Sequence, residues 1–525
     1  MIIPIMAIDG DLKAGRLVLA GVFVLVIAAR AATVARAHNV ARDGVIHLYM
    51  ARQLTEAPWR SVVTQYDYHP MYPALCAAVA KATGAGWPEG WVTVAQAVSA
   101  GMSVLGLLCL HYIARRVFNR RIALWTVIIA GLSRPLTGLS ADALSDWPAL
   151  TFGLATLAAA IACARRIRAN SVMAVPLAAV AAIAAAGGYL TRPEQLLSAL
   201  TAAAIMLFHK GPRQSRLGLK TVCLLVLGGL TLLCVSPYAW AIGGLSQKKS
   251  LDDFEFAAGM PLAAVNMGEV ARITWRILDR GLDGIGIPAA AMILLAMGLA
   301  LARRRFPKEW PRLIPSPSRE GVLMMAIPAV VMLPILAAME MGLGRGYLSS
   351  RHTLVVLMFM MPLAGAGAEA GLMLLGRIFK HLSGSSFLSL WAAAVVALAM
   401  FPAAIPCLHR GRDTYRHAGR SIRGEGAVLC DDARIALFAS APVEQFVRHS
   451  PLRWKLEPAD LSSPDALLKR LGTGFRCIAI TKEMQRHAGE ECLKVPLMAG
   501  LTPVDLPNSK APVFAYVPPR GPRRE

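Results

Sequence analysis

Apolar and polar positions alternate along this chain in long blocks. Runs near 17–35, 92–114, 122–133, 148–164, 171–190, 195–208, 221–242, 285–301, 321–340, 353–372 and 386–405 are almost wholly apolar. A helix of about 20 apolar residues crosses the hydrocarbon of a bilayer, so the pattern predicts about eleven transmembrane helices. The first run follows Lys13 and Arg16 in the manner of a signal peptide, but ten further spans make it a retained anchor. The pattern changes from residue 406. Stretches 426–440 (GAVLCDDARIALFAS), 475–482 (FRCIAITK) and 512–518 (PVFAYVP) read as strands, with PDALLKRL as a helix between the first two. The expected architecture is therefore an all-α polytopic membrane domain over 1–405 and a small α/β domain over 406–525.

Composition fits lipid as the solvent. Of 525 residues, 56% are hydrophobic and 17% charged, against about half and a quarter in soluble domains. The net charge of +23 would matter for nucleic acid if it gathered on one face. It lies instead in short clusters between apolar runs, which excludes nucleic acid as the partner. Those clusters are Arg115, Arg116, Arg120 and Arg121; Arg165, Arg166 and Arg168; Lys210, Arg213, Arg216 and Lys220; Arg303, Arg304, Arg305 and Lys308; and Arg377 with Lys380. The positive-inside rule puts these loops and the N-terminus in the cytoplasm. The longer loops 36–91 and 243–284 and the C-terminus then lie outside an inner (plasma) membrane crossed many times. The nine cysteines contain no CxxC pair. Cys407, Cys430, Cys477 and Cys492 lie in the tail, where an extracytoplasmic location would allow a disulfide.

Charge near hydrocarbon is costly, about 2.5–3.5 kcal/mol for a central Arg or Asp, so polar groups at the outer ends of spans carry the most information. Asp43 opens the helix-like DGVIHLYMARQL, with His47 four residues on and His69-Pro70 at a later turn. Local pattern favours Asp43 as a helix N-cap, with a general base as the rival. Asp142 and Asp146 (SADALSDWPAL), spaced by four, would share a helical face. Arg192 and Glu194 flank a proline in GYLTRPEQLL; a salt bridge competes with a phosphate-facing guanidinium. Lys248 and Lys249, and then Arg345, Arg351 and His352, put cations outside, against the positive-inside rule. Together they indicate an anionic ligand at the outer leaflet. Arg30, near the end of the first run, reads as snorkelling to the interface.

In order along the chain stand Asp43, HP-x-Y-P, D-x-L-S-D, Y-L-T-R-P-E, L-S-x-K-K-S, and Y-x-x-x-R-H, formed by Tyr347, Arg351 and His352. This series resembles the bacterial GT-C-fold glycosyltransferases that use lipid-linked sugars, in the branch of protein O-mannosyltransferases and the aminoarabinose transferase of lipid A. The resemblance covers roughly 15–405. It implies a polyprenyl-phosphate-sugar donor, a lipid, glycan or protein acceptor, and inversion at the anomeric carbon. It implies Asp43 as catalytic base, which reverses the local preference for a cap. Arg351 would hold the donor phosphate, with Arg192, Lys248, Lys249 and His69 as further donor-phosphate candidates. His47, Asp142, Asp146, Glu194, Tyr347 and His352 complete the candidate site. His69 stands where the aminoarabinose branch has Lys-Pro-Pro, and Gly44 where the family often has a second acid. No cofactor is implied; a divalent metal is allowed but not required.

The rival from another class is a transporter or flippase of a lipid-linked or anionic substrate, which would put its charges at the bilayer midplane on broken helices, often within repeats. A ligase using a pyrophosphate-linked lipid would share the topology expected here.

Overall fold

The computed structural model describes residues 3–37, 39–209, 217–246, 267–305, 316–342, 349–378, 386–409, 413–447, 455–506 and 513–519. In chain order the helices are α1 (Ile3–Ala35), α2 (Arg42–Glu56), α3 (Trp59–Val63), α4 (Met71–Thr83), α5 (Glu89–Val117), α6 (Arg120–Gly131), α7 (Arg134–Ser140), α8 (Asp146–Arg168) and α9 (Ala174–Tyr189). They continue with α10 (Leu196–Phe208), α11 (Leu217–Ile242), α12 (Met267–Ile285), α13 (Ile287–Arg305), α14 (Arg319–Gly342), α15 (Ser350–Ile378) and α16 (Ser386–Ala403). The tail holds α17 (Asp413–Ser421), β1 (Ala427–Cys430), α18 (Ala433–Phe438), α19 (Pro464–Leu471), β2 (Phe475–Thr481), α20 (Lys482–Ala488), α21 (Lys494–Met498), β3 (Thr502–Pro503) and β4 (Val513–Val517). The chain divides into two compact units. One comprises Met1–Thr33, Ser99–Ala141 and Ser145–Pro406; the other comprises Val34–Val98, Asp142–Leu144 and Cys407–Glu525.

The first unit is all helix. Its core joins Val26, Leu107, Ile128, Trp147, Leu154 and Phe359. α8 buries 78% of its apolar window and α15 72%, whereas α11 buries 22%. The first two are therefore interior, and α11 turns its leucines outward, as only lipid tolerates. Close packing rests on glycine: a Cβ on Gly365 would meet the Ile122 carbonyl oxygen at 2.5 Å, and one on Gly367 would overlap that of Met292. Small residues at such crossings let membrane helices approach backbone to backbone.

Among the described residues six helices are long and apolar enough to cross a membrane, or eight if each bent pair is one span. The remaining apolar helices are short, Ala174–Tyr189, Pro193–Phe208 and Ser389–Ala403. Thirteen residues of α10 rise only about 20 Å, against about 30 Å of hydrocarbon. The expected span at 122–133 is half of a broken one: α6 and α7 meet at 65°, and α12 and α13 at 117°. The two breaks touch, for Ser133 Oγ donates to the Ile285 carbonyl at 2.8 Å. Gly286, at φ +84°, supplies the left-handed residue on which the chain turns. Arg30 does not snorkel. It is 1% exposed and donates to the Gly131 carbonyl, to Ser103 Oγ at 2.9 Å and to Thr137 Oγ1 at 3.1 Å. The C-terminal carbonyl of a broken helix is a natural partner for a cation.

The second unit holds a four-stranded sheet of order β1-β2-β4-β3, with β1 parallel to β2 and β2 antiparallel to β4. Leu429, Leu467, Phe475, Ile478, Ile480 and Tyr516 form its core. The strand expected over 426–440 ends at Cys430. Asp432 accepts the Arg434 amide and caps α18, which converts ARIALF from strand to helix. The tail packs with the first loop: Tyr49 of α2 donates its hydroxyl to the Ala441 carbonyl at 3.0 Å. Cys407, Cys430, Cys477 and Cys492 are free thiols.

Candidate active site

The first unit gathers four charges from three segments. Asp146 begins α8, and its carboxylate is 3% exposed. Arg192 comes from the turn after α9 and donates Nη1 to Asp146 Oδ1. Its Nη2 and Nε reach Glu194 Oε1 at 2.9 and 3.1 Å. Arg351, in the first turn of α15, donates Nε to Asp146 Oδ2 at 3.0 Å. Burial by itself would lower the Arg192 pKa, but Glu194 and Asp146 outweigh it and raise it. Arg192 thus spends all three guanidinium nitrogens on carboxylates. Arg351 keeps a side-chain exposure of 26%, so it is the guanidinium of the group with an accessible face. The four charges sum to zero, with the cations fixed on a carboxylate before any ligand arrives.

The second unit holds Asp43. α2 starts at Arg42, and its N-cap, Ala41, makes no side-chain bond. Asp43 therefore sits inside the first turn and is not the cap. Tyr68 donates its hydroxyl to Asp43 Oδ1 at 3.3 Å, and His47, buried one turn on, packs edge-on to the Tyr68 and Tyr72 rings at 4.7 and 5.2 Å. A Cβ on Gly44 would come within 3.0 Å of the Ala143 carbonyl oxygen and 3.6 Å of that of Asp142. That close approach accounts for glycine where an acid was expected. Asp142 and Asp146 do not share a helical face: Asp142 lies in a turn and α8 starts only at Asp146. Asp142 instead bonds His409 Nε2 at 2.6 Å; His409, at φ +53°, and Ala143, which follows Asp142, at φ +50°, are both left-handed.

The other candidates disperse. His69 is buried just before α4. His352 Nδ1 accepts the Ser349 amide at 3.2 Å, a local bond at the start of α15. Lys248, Lys249, Arg345 and Tyr347 lie outside the described residues. Among the described residues no group of three or more His, Cys, Asp or Glu could hold a metal. Sequence reasoning missed Tyr68, although it stands directly before His69-Pro70. It missed His409 too, which no local pattern marks.

Residues 68–240 match the family model for dolichyl-phosphate-mannose-protein mannosyltransferases. No curated protein matches. Among solved structures the chain is similar to ArnT from Cupriavidus metallidurans bound to undecaprenyl phosphate. The TM-score there is 0.58 at 14% identity, over 95% of this chain and 97% of that one. It is also similar to the oligosaccharyltransferase AglB from Archaeoglobus fulgidus, in complex with an inhibitory peptide and a dolichol-phosphate. The TM-score is 0.56 at 13% identity, over 96% of this chain and 74% of that one. The fold is that of the GT-C glycosyltransferases.

Proposed function

We propose that the protein is a membrane glycosyltransferase that moves a sugar from a polyprenyl-phosphate donor to an acceptor on the outer face, with inversion. The observation that carries this is the convergence of Arg192 and Arg351 from distant segments on buried Asp146, in a chain of GT-C fold. ArnT with its undecaprenyl phosphate and AglB with its dolichol-phosphate support a lipid phosphate as the donor's carrier. As the glycosidic bond breaks, the departing lipid phosphate gains negative charge. A guanidinium fixed beforehand stabilises that charge without reorganising. Arg351 takes this role, and Arg192 holds Asp146 so that Arg351 is aimed. Asp43, oriented by Tyr68, removes the proton of the acceptor.

Asp43→Asn tests the reading. The substitution keeps size and shape. Loss of a general base costs about 10²–10⁴-fold in transfer, while binding of the polyprenyl donor is expected to stay normal. Donor binding and sugar transfer, measured separately on the purified variant, give the answer. Near-normal transfer removes Asp43 from the mechanism.

A further inference from the structure

A second group of arginines lies in the second unit, apart from Asp43 and its partners. Arg416 and Arg420 are one turn apart on α17, and Arg423 follows in the next turn. Arg420 Nε and Arg423 Nη2 both reach Glu89 Oε1, at 3.0 and 2.7 Å. Arg423 Nε also donates to the Phe438 carbonyl at 3.1 Å, and the Arg416 guanidinium lies 5.4 Å from the centre of the Phe438 ring. Two of the three cations therefore meet Phe438, Arg416 at its ring and Arg423 at its carbonyl, and Arg420 and Arg423 share a single carboxylate. Arg416 Nε is buried and has no hydrogen-bond partner among the described residues. Burial and the like charge of Arg420 lower the Arg416 pKa, with Glu89 and Asp413 acting against them. The group is short of negative charge.

Its position says which anion completes it. Glu89 is the first residue of α5, which is apolar and long enough to cross a membrane. The 29 residues of α5 rise about 43 Å, against about 30 Å of hydrocarbon. The first turn therefore stands in the headgroup layer, and arginines bonded to Glu89 stand with it. Planar guanidiniums match phosphate oxygens two at a time. We propose that Arg416, Arg420 and Arg423 form a binding site for the phosphate of an anionic membrane-lipid headgroup, with Arg416 supplying the donor that no described residue takes.

The test titrates dihexanoyl phosphatidylglycerol into the full chain in neutral detergent and reads binding by thermophoresis, with dihexanoyl phosphatidylcholine and inorganic phosphate as the other arms. The wild-type chain is expected to bind the anionic lipid saturably and the other two at least tenfold more weakly. Arg416→Gln is expected to weaken anionic-lipid binding about tenfold with thermal unfolding unchanged. Arg420→Gln, at a more exposed side chain, repeats the measurement if Arg416→Gln fails to fold. Wild-type affinity in whichever variant folds overturns the site. Inorganic phosphate bound as tightly as the lipid overturns the lipid as its source.

Discussion

Each unit contains a buried carboxylate held by two arginines, and the two triads are built differently. In the first unit the partners of Asp146 come from 46 and 205 residues away, and Arg351 stays partly open. In the second, Asp432 is gripped through both oxygens by Arg434 only two residues on, at 2.7 and 2.6 Å, and Arg434 is 1% exposed. Arg42 adds a bond to Asp432 from outside at 2.9 Å with half its side chain in solvent. A local, closed grip caps α18 and fixes the turn after β1. The first grip draws both of its arginines from other segments, and on that arrangement the proposed donor site rests. Composition alone would not separate the two; the inner cation does, for Arg434 lies two residues from its carboxylate and grips both oxygens, whereas Arg192 reaches one oxygen of Asp146 from 46 residues away.

The most direct way to break this contrast is through the donor. Arg351→Ala is expected to weaken donor binding by roughly ten- to a hundredfold, since a hydrogen bond to a charged group contributes about 1.5–3 kcal/mol. Arg351→Lys should recover part of that, because the charge returns without the fork. Equal donor affinity in wild type and Arg351→Ala would make the first triad as structural as the second. Arg434→Met should instead leave the donor untouched and destabilise the tail by about 3 kcal/mol, because breaking a buried pair strands the charge that remains. Hydrogen exchange in β1 and β2 reads this directly. Acid probes the same carboxylate. Burial would raise the Asp432 pKa, but Arg434 and Arg42 hold it below the usual carboxylate range. A depressed folded value means a stabilisation present above the unfolded Asp pKa of about 3.9 and lost as pH falls through the folded value. Asp432→Asn, which can still cap α18, should flatten the acid limb of tail stability. The smallest effect belongs to Arg42→Ala, at most about 1 kcal/mol, since the pair is half in solvent. A larger loss would mean that the second triad also depends on its outer member.

Much of the fold was legible because lipid imposes a simple rule on composition. Apolar runs marked α1, α5, α8, α11, α14 and α15, and PDALLKRL marked α19, where Ser463 caps the helix. The sequence did not reveal where a run breaks. Ser133-Arg134-Pro135 interrupts 120–140 with two good signals, yet hydrophobicity on both sides hid the bend. The strand expected over 426–440 runs past Cys430 because ARIALF is apolar enough for either element, and the cap at Asp432 decides for helix. In the site, Arg192 and Glu194 were legible as a pair because only Pro193 separates them. The bond of Arg351 to Asp146 and that of His409 to Asp142 span 205 and 267 residues, and no local pattern encodes such distances.

The two helix breaks bear on how the chain is made. A broken helix inside a bilayer exposes carbonyls that lipid cannot satisfy. The Gly131 carbonyl is met by Arg30, and the Ile285 carbonyl by Ser133. In both cases the donor precedes the acceptor in the chain. Synthesis runs from the N-terminus, so each break leaves the ribosome after the residue that will seal it. The order of the sequence is thus also a workable order of assembly, in which neither of these carbonyls has to wait in the membrane for a donor on a later helix.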